Sequence, residues 1–298
     1  MASTQKTQKQ NTSEQGTSTQ KTATGTGAAA RAGESRRRVL DPRERPEILL
    51  VPAVFAIVML GGEFLATPLG IDEYTLPRPS QIYEALEGQL TDGQFWGHLR
   101  VTLQEALFGY AIGVGAAMLL GTLISQVRLV ERTLMPYIVA FQTVPKVALA
   151  PLFVVWFGFG ISSKIVMAAV ISFFPMLVNV VEGLRSADAD RIQMLTVFGA
   201  GRFQIFRMVR LPTAVPFIFA GLDIGIVFAI LGAVVGEFIG AKEGLGYLLL
   251  QSNFNFDIAG MFAVLVVLSV LGLIAHFLIR LAQRRVAFWA EENRVIGA

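Results

Sequence analysis

Residues 201–212 read GRFQIFRMVRLP, and they lie between two of the most apolar segments of the chain. Arg202, Arg207 and Arg210 are charged, while Phe203, Phe206 and Val209 recur at helical spacing. A basic amphipathic helix in that position is a reading about membranes. The segments on either side, about 162–184 and 213–239, are each long and apolar enough for a transmembrane helix, which needs roughly 20 mainly apolar residues. Composition agrees. The 298 residues are 53% hydrophobic and 16% charged, with a mean hydropathy of +0.57, whereas a soluble domain carries about 25% charged residues.

Four further segments have the same character: about 48–66, 101–125, 134–157 and 258–280. The expectation is an all-α integral membrane protein with six spans. Glu63 lies near the end of the first, Pro145, Lys146 and Pro151 interrupt the third, and Asp223 and Glu237 mark the fifth. Residues 1–44 are Thr, Gln, Ser and Lys with a basic cluster at their end, and read as a disordered tail without a secretory h-region. Residues 45–285 form the membrane domain and 286–298 a C-terminal tail.

Basic residues set the orientation. Nine Lys/Arg precede the first span, Arg128 and Arg132 follow the second, five lie between 185 and 210, and four follow His276. Arg78, Arg100, Lys164 and Lys242 fall outside or at the outer edge, and Lys146 within a span. Both termini and the 185–212 loop are therefore placed in the cytoplasm. The outer loop 67–99 contains SQIYEALEGQL, which predicts a short surface helix with Ser80 as N-cap. It serves as a connector or as a docking surface for an external partner. Trp96, Trp156 and Trp289 fall at expected membrane interfaces.

The loop 185–212 reads as a helix pair. SADADRIQMLTVF forms the first helix, capped by Ser186 or Asp188, with Ile192, Leu195 and Phe198 on one side. Gly199-Ala200-Gly201 is the corner, where glycine permits a sharp turn, and Arg202–Arg210 forms the second helix before Leu211-Pro212 opens the next span. Two functions suit such a pair. One is a hairpin lying on anionic lipid; the other is a knob inserted into a cleft of a cytoplasmic protein.

Gly199, nine residues, and then Val209-Arg210-Leu211-Pro212 resembles the G-x9-I-x-L-P core of the coupling loop in ABC importer permeases. QTVPKVALAPLFVVWFGFG (142–160) and AVVGEFIGAKEGLGYLL (233–249) resemble the nitrate/sulfonate/taurine-type branch of that family, and the similarity extends over about 48–285. The resemblance implies the type I importer permease fold. It also implies a loop that fits a socket on a separate ATPase, with Met194, Leu195, Phe198, Gly199, Gly201, Arg202, Phe206, Leu211 and Pro212 as coupling residues. Further implied are a second permease copy and an extracytoplasmic solute-binding protein. The family's Glu-Ala-Ala triplet is replaced here by Gln193-Met194-Leu195, so its carboxylate is absent.

The chain has no G-x-x-x-x-G-K-[ST] phosphate loop, so ATP and Mg are expected on the partner ATPase, with no cofactor on this chain. There is no cysteine, and His98 and His276 make no metal-ligand spacing. A net charge of +3, spread unevenly, gives no nucleic-acid footprint. Charges inside a membrane are costly and mark function. Lys146 and Asp223 are at similar depth and are expected to pair. Gln142, Pro145, Lys146, Asp223 and Glu237 are candidates to line a pathway, with Glu105 a further candidate at the outer mouth. Gly109, Gly113, Gly115 and Gly121 read as close helix packing. An ATP-independent transporter or channel would account for the spans and buried charges but not for the loop. A membrane enzyme would need clustered catalytic groups, which the sequence lacks. The solute is left open among nitrate, sulfonates, taurine and thiamine-precursor pyrimidines.

Overall fold

The computed structural model describes residues 47–64 and 76–287, and every regular element among them is a helix. The N-terminal tail, the stretch 65–75 and most of the C-terminal tail, with Trp289, lie outside the described residues. The chain falls into two compact units that divide after Val58. The first contributes the start of α1 (Glu47–Phe64). The second holds the remaining elements.

α2 (Pro79–Thr91) is the expected surface helix, but its N-cap is Arg78 and Pro79 occupies its first turn. Proline suits that position because its missing N–H would be unpaired anyway. Ser80, expected as the cap, instead gives its N–H and hydroxyl to Glu63, at 3.1 and 2.9 Å. α3 (Gly93–Gln126) begins eight residues before the expected second span, because Asp92 caps it by accepting from Gln94 N at 3.0 Å. At 1.5 Å per residue its 34 residues reach about 51 Å, beyond the roughly 30 Å of a bilayer core.

The expected third span is broken. α4 (Arg128–Thr143) stops at Val144, whose ψ of 127° is extended, as the residue before a proline prefers. A 3-10 turn (Lys146–Leu149) leads into α5 (Ala150–Phe157), and the two arms are bent by 88°. Pro145 makes this break. Pro151 lies in the first turn of α5 and starts that helix without kinking it.

α6 (Ile161–Arg185) is followed by α7 (Ala189–Val197), α8 (Arg202–Ile205), a π turn (Phe206–Arg210) and α9 (Leu211–Glu237). The expected separate second helix of the loop is instead the first part of a 36-residue helical run, Arg202–Glu237. The π turn has a local cause. Pro212 has no N–H to return to Met208, and the Leu211 N–H reaches back five residues to Phe206 O. α10 (Leu245–Phe254) and α11 (Ile258–Val286) complete the described chain. Among the described residues four helices are long and apolar enough to cross a membrane, or five if the bent pair is one span.

The core is the triad α3, α6 and α9, which make the most extensive contacts. Where the three meet, Ala106, Ala168, Ala229 and Ala233 form a small-residue layer. A Cβ on Gly113 would lie 2.5 Å from Ser172 Oγ and 2.6 Å from Ala169 O, and one on Gly232 2.7 Å from the Ala168 Cα. Gly109 and Gly121 are equally crowded, but Gly115 faces open space. Backbones this close gain dispersion contacts in a medium with no hydrophobic drive between helices. Toward the loop end of the triad, Ile124, Met176, Leu177, Val180 and Leu184 fill the wider spaces.

Candidate functional site

The 185–212 loop is built from α7, a glycine corner and α8. Asp188 caps α7 by accepting from Asp190 N at 2.9 Å, and it also faces Arg191 at 3.6 Å. α7 closes at Phe198, and Gly199 has φ +81°, the left-handed value for which glycine is the usual choice. Ala200 N then donates to Leu195 O at 2.9 Å. Gln204 folds back so that its Oε1 accepts from Gly201 N at 2.8 Å.

The outcome is an apolar prominence. Met194 is 54% exposed, Phe198 and Val197 80%, and Phe203 73%. Gly201 and Arg202 are also exposed, and Leu195 is half-buried. Phe206 turns the other way and packs on the core, beside buried Ile205 and Val209. Leu211 and Pro212 are half-buried at the start of α9. The base is tied to its neighbours. Arg210 donates to Ser125 O at the end of α3, at 3.4 Å, and Arg185 meets Glu131 of α4 at 2.5 Å. Val197, as exposed as any residue here, was not among the sequence candidates. Its periodicity marks it as outside the α7 face, which is the signal that could have found it.

The broken span borders a cavity of about 650 Å³ against α3 and α6. Lys146 lines it; its Nζ donates to Gln142 O at 3.3 Å and stands 4.9 Å from the centroid of the Phe174 ring. The expected pairing of Lys146 with Asp223 is not formed. Asp223 Oδ1 is 2.5 Å from His276 Nδ1, an α9–α11 contact. His276, which has no metal-ligand spacing with His98, is instead a polar partner on α11 for the α9 carboxylate. Among the described residues no His, Asp and Glu side chains group to hold a metal ion.

At the end opposite the loop, Glu237 is 1% exposed, with Thr102, Glu105, Ser163 and Lys164 almost as deeply buried. Thr102 Oγ1 donates to Glu237 Oε1 at 2.6 Å and accepts from Leu245 N at 2.7 Å. The N–H groups of Gly246 and Tyr247 also reach the Glu237 carboxylate, which therefore caps α10. Gly244 and Gly246 leave no room for a Cβ beside it. Gly244 N donates to His98 Nδ1 at 3.0 Å. Glu105 lies against Glu237, its Oε2 without a hydrogen-bond partner. Lys164, expected at an outer edge, is buried with its stem on Gly236 and its Nζ on the carbonyls of Phe159 and Gly160. Thus GEFIGAKEGLG closes a polar plug: one carboxylate, two glycines and a threonine join α3, α9 and α10.

A helical membrane bundle with an exposed apolar loop between two of its core helices suits a membrane transport protein. The methionine ABC transporter MetNI, solved in inward-facing conformations, superposes with a TM-score of 0.51 at 25% identity, over 64% of this chain and 92% of that one. The chain is 35% identical to the formylaminopyrimidine transport permease ThiX of Halalkalibacterium halodurans, over 80% of this chain and 95% of the relative. It is also 35% identical to the riboflavin transport permease RibX of Chloroflexus aurantiacus (85% and 94%). The aliphatic sulfonates permease SsuC of Bacillus subtilis is 32% identical (81% and 86%). Residues 109–288 match the binding-protein-dependent transport system inner membrane component family, and the chain belongs to it. It is a multi-pass membrane protein and a permease subunit of an ATP-driven importer.

Proposed function

We propose that this permease crosses the membrane six times with both termini in the cytoplasm, and that its 189–203 prominence seats in a separate ATPase subunit. The single observation carrying this is the exposed apolar set Met194, Val197, Phe198 and Phe203 on a loop braced by Arg210 and Arg185. Such a patch marks a protein or a membrane contact, and its ties through Arg210 and Arg185 favour the protein. The five arginines between 185 and 210 support a cytoplasmic placement of this loop. ATP and Mg belong to that partner. A second copy of this chain completes the pathway, and an external binding protein delivers the solute. The solute is a small organic molecule of the kinds the relatives' names give: a pyrimidine, riboflavin or a sulfonate.

The test is affinity purification of the tagged chain from its own membranes in mild detergent, with mass spectrometry of what accompanies it. A co-purifying subunit with a phosphate loop supports the reading. A chain that repeatedly purifies without one overturns the seating and moves the prominence to the membrane surface.

A further inference from the structure

α10 begins at Leu245, and the N–H groups of a helix's first turn have no partner within the helix. Here four consecutive N–H groups, from Gly244 to Tyr247, are each taken by a side chain of another helix. Gly244 N donates to His98 Nδ1 at 3.0 Å, Leu245 N to Thr102 Oγ1 at 2.7 Å, and Gly246 N and Tyr247 N to the Glu237 carboxylate. Gly244, Leu245 and Gly246 are buried, so a group that loses its acceptor there has no water to turn to, which is costly. His98 and Thr102 stand one turn apart on α3 and hold neighbouring positions of the segment.

Of these acceptors, imidazole is the one whose charge changes near neutral pH. To accept at Nδ1 the ring must be neutral, with its proton on Nε2. Once both nitrogens carry protons, the Nδ1–H confronts the Gly244 N–H, donor against donor. A positive ring then also stands at the positive end of α10. The carboxylates that would welcome that charge are Asp92, which caps α3, and Glu243, in the loop. Both are exposed, and water screens such attractions. Lys242, beside Glu243, is exposed as well. On α10 the Tyr247 ring stacks on the imidazole, 5.7 Å between centroids, and brings no charge. Glu105, Lys164 and Glu237 lie buried deeper in the cluster. His98 itself is half-buried, so protons reach it from solvent.

We propose that His98 is a proton-operated latch on the 240–246 segment: the neutral imidazole holds Gly244 and the start of α10 in place, and the imidazolium releases them. The closed segment binds one proton fewer than the open one, so acid favours opening and alkali favours closure. In the open segment His98 titrates near its ordinary value of about 6.5, and the latch weakens as the pH falls below it. The latch goes beyond the importer reading and does not depend on it. With the orientation proposed above, the acid that releases it is extracytoplasmic, and the plug around Glu237 loosens in an acidified exterior.

The test uses the full chain in lipid nanodiscs with a single cysteine, Leu245→Cys, since the chain has none of its own and Leu245 is fully buried. Its rate of maleimide labelling is measured from pH 7.5 to 5.5. Each rate is divided by that of Tyr83→Cys, an exposed position on α2, which cancels the pH dependence of the thiol chemistry itself. The ratio is expected to rise by about fivefold on acidification. His98→Asn keeps a neutral oxygen acceptor near the Nδ1 position and should give a low ratio at every pH. His98→Ala keeps no acceptor and should give a raised ratio at every pH. A ratio in the parent that does not change with pH overturns the proposal. So does an acid-dependent rise that survives in His98→Asn, which would assign the release to a carboxylate.

Discussion

Glu237→Ala is the perturbation whose size the structure sets most directly. The carboxylate accepts from Thr102 Oγ1 at 2.6 Å and from the N–H groups of Gly246 and Tyr247, at a place where Glu237 is 1% exposed. Alanine would leave three donors facing an apolar hole. A buried donor without an acceptor costs about 1–3 kcal/mol, and loss of a helix cap alone about 1 kcal/mol. Some of these donors will re-pair, so about 3 kcal/mol is a fair expectation for opening the 240–246 segment. Because the chain has no cysteine, a single Leu245→Cys can report that opening. Leu245 is fully buried, so maleimide labels it only from the opened state. In purified protein, 3 kcal/mol corresponds to a labelling rate raised about 150-fold. The comparison is between Leu245→Cys alone and Leu245→Cys with Glu237→Ala. Glu237→Gln, which keeps one acceptor, should fall between them. A rate changed by less than about threefold, under 1 kcal/mol, would refute the reasoning and mean that packing, not the carboxylate, holds α10 in place.

Other substitutions test other levels of the structure. Gly199→Arg meets no atom within 4 Å of its Cβ, but it puts an L residue at φ +81°, a strain of about 1–2 kcal/mol; membrane insertion should be retained and ATPase association lost, as a pull-down would show. Asp223→Ala removes the His276 contact and should lower the melting temperature in detergent. The double variant Asp223→Leu with His276→Leu should recover most of that loss, since apolar side chains can replace this half-buried pair between α9 and α11 at little net cost. Gly113→Val drives a side chain into Ser172 and Ala169 and should destabilise the α3–α6 contact by about 1–3 kcal/mol, read as lost expression of folded protein in size-exclusion profiles.

Long apolar runs were legible in the sequence because hydropathy and length alone define them. The loop was legible because Gly199 and the Leu211-Pro212 step are local signals whose backbone consequences do not depend on distant neighbours. Pairings were not. Lys146 and Asp223 were matched by depth, which gives height along a helix but not the direction a side chain faces; Asp223 faces α11 and finds His276. Glu237 carried a visible charge in an apolar stretch, and the sequence could not show that its partners are Thr102, 135 residues away, and the backbone of the glycine loop that follows it. The position of Lys164 near a helix start was legible, but its burial was not, because that depends on the packing of its stem on Gly236 of another helix. Pro145 and Pro151 are chemically alike. One breaks a helix and the other begins one, because the chain between them folds as a 3-10 turn.

The helical run from Arg202 to Glu237 puts two unlike chemistries on one rod. Its 36 residues make a shaft about 54 Å long, with the exposed Phe203 at one tip and the Glu237 plug at the other. The π turn at its foot is where the shaft is widest and its backbone ladder least regular. If the loop seats in a partner as proposed, a displacement of the Phe203 tip would have to pass through these five residues, Phe206 to Arg210, before it reached Glu237, so their stiffness would set how much of it arrives.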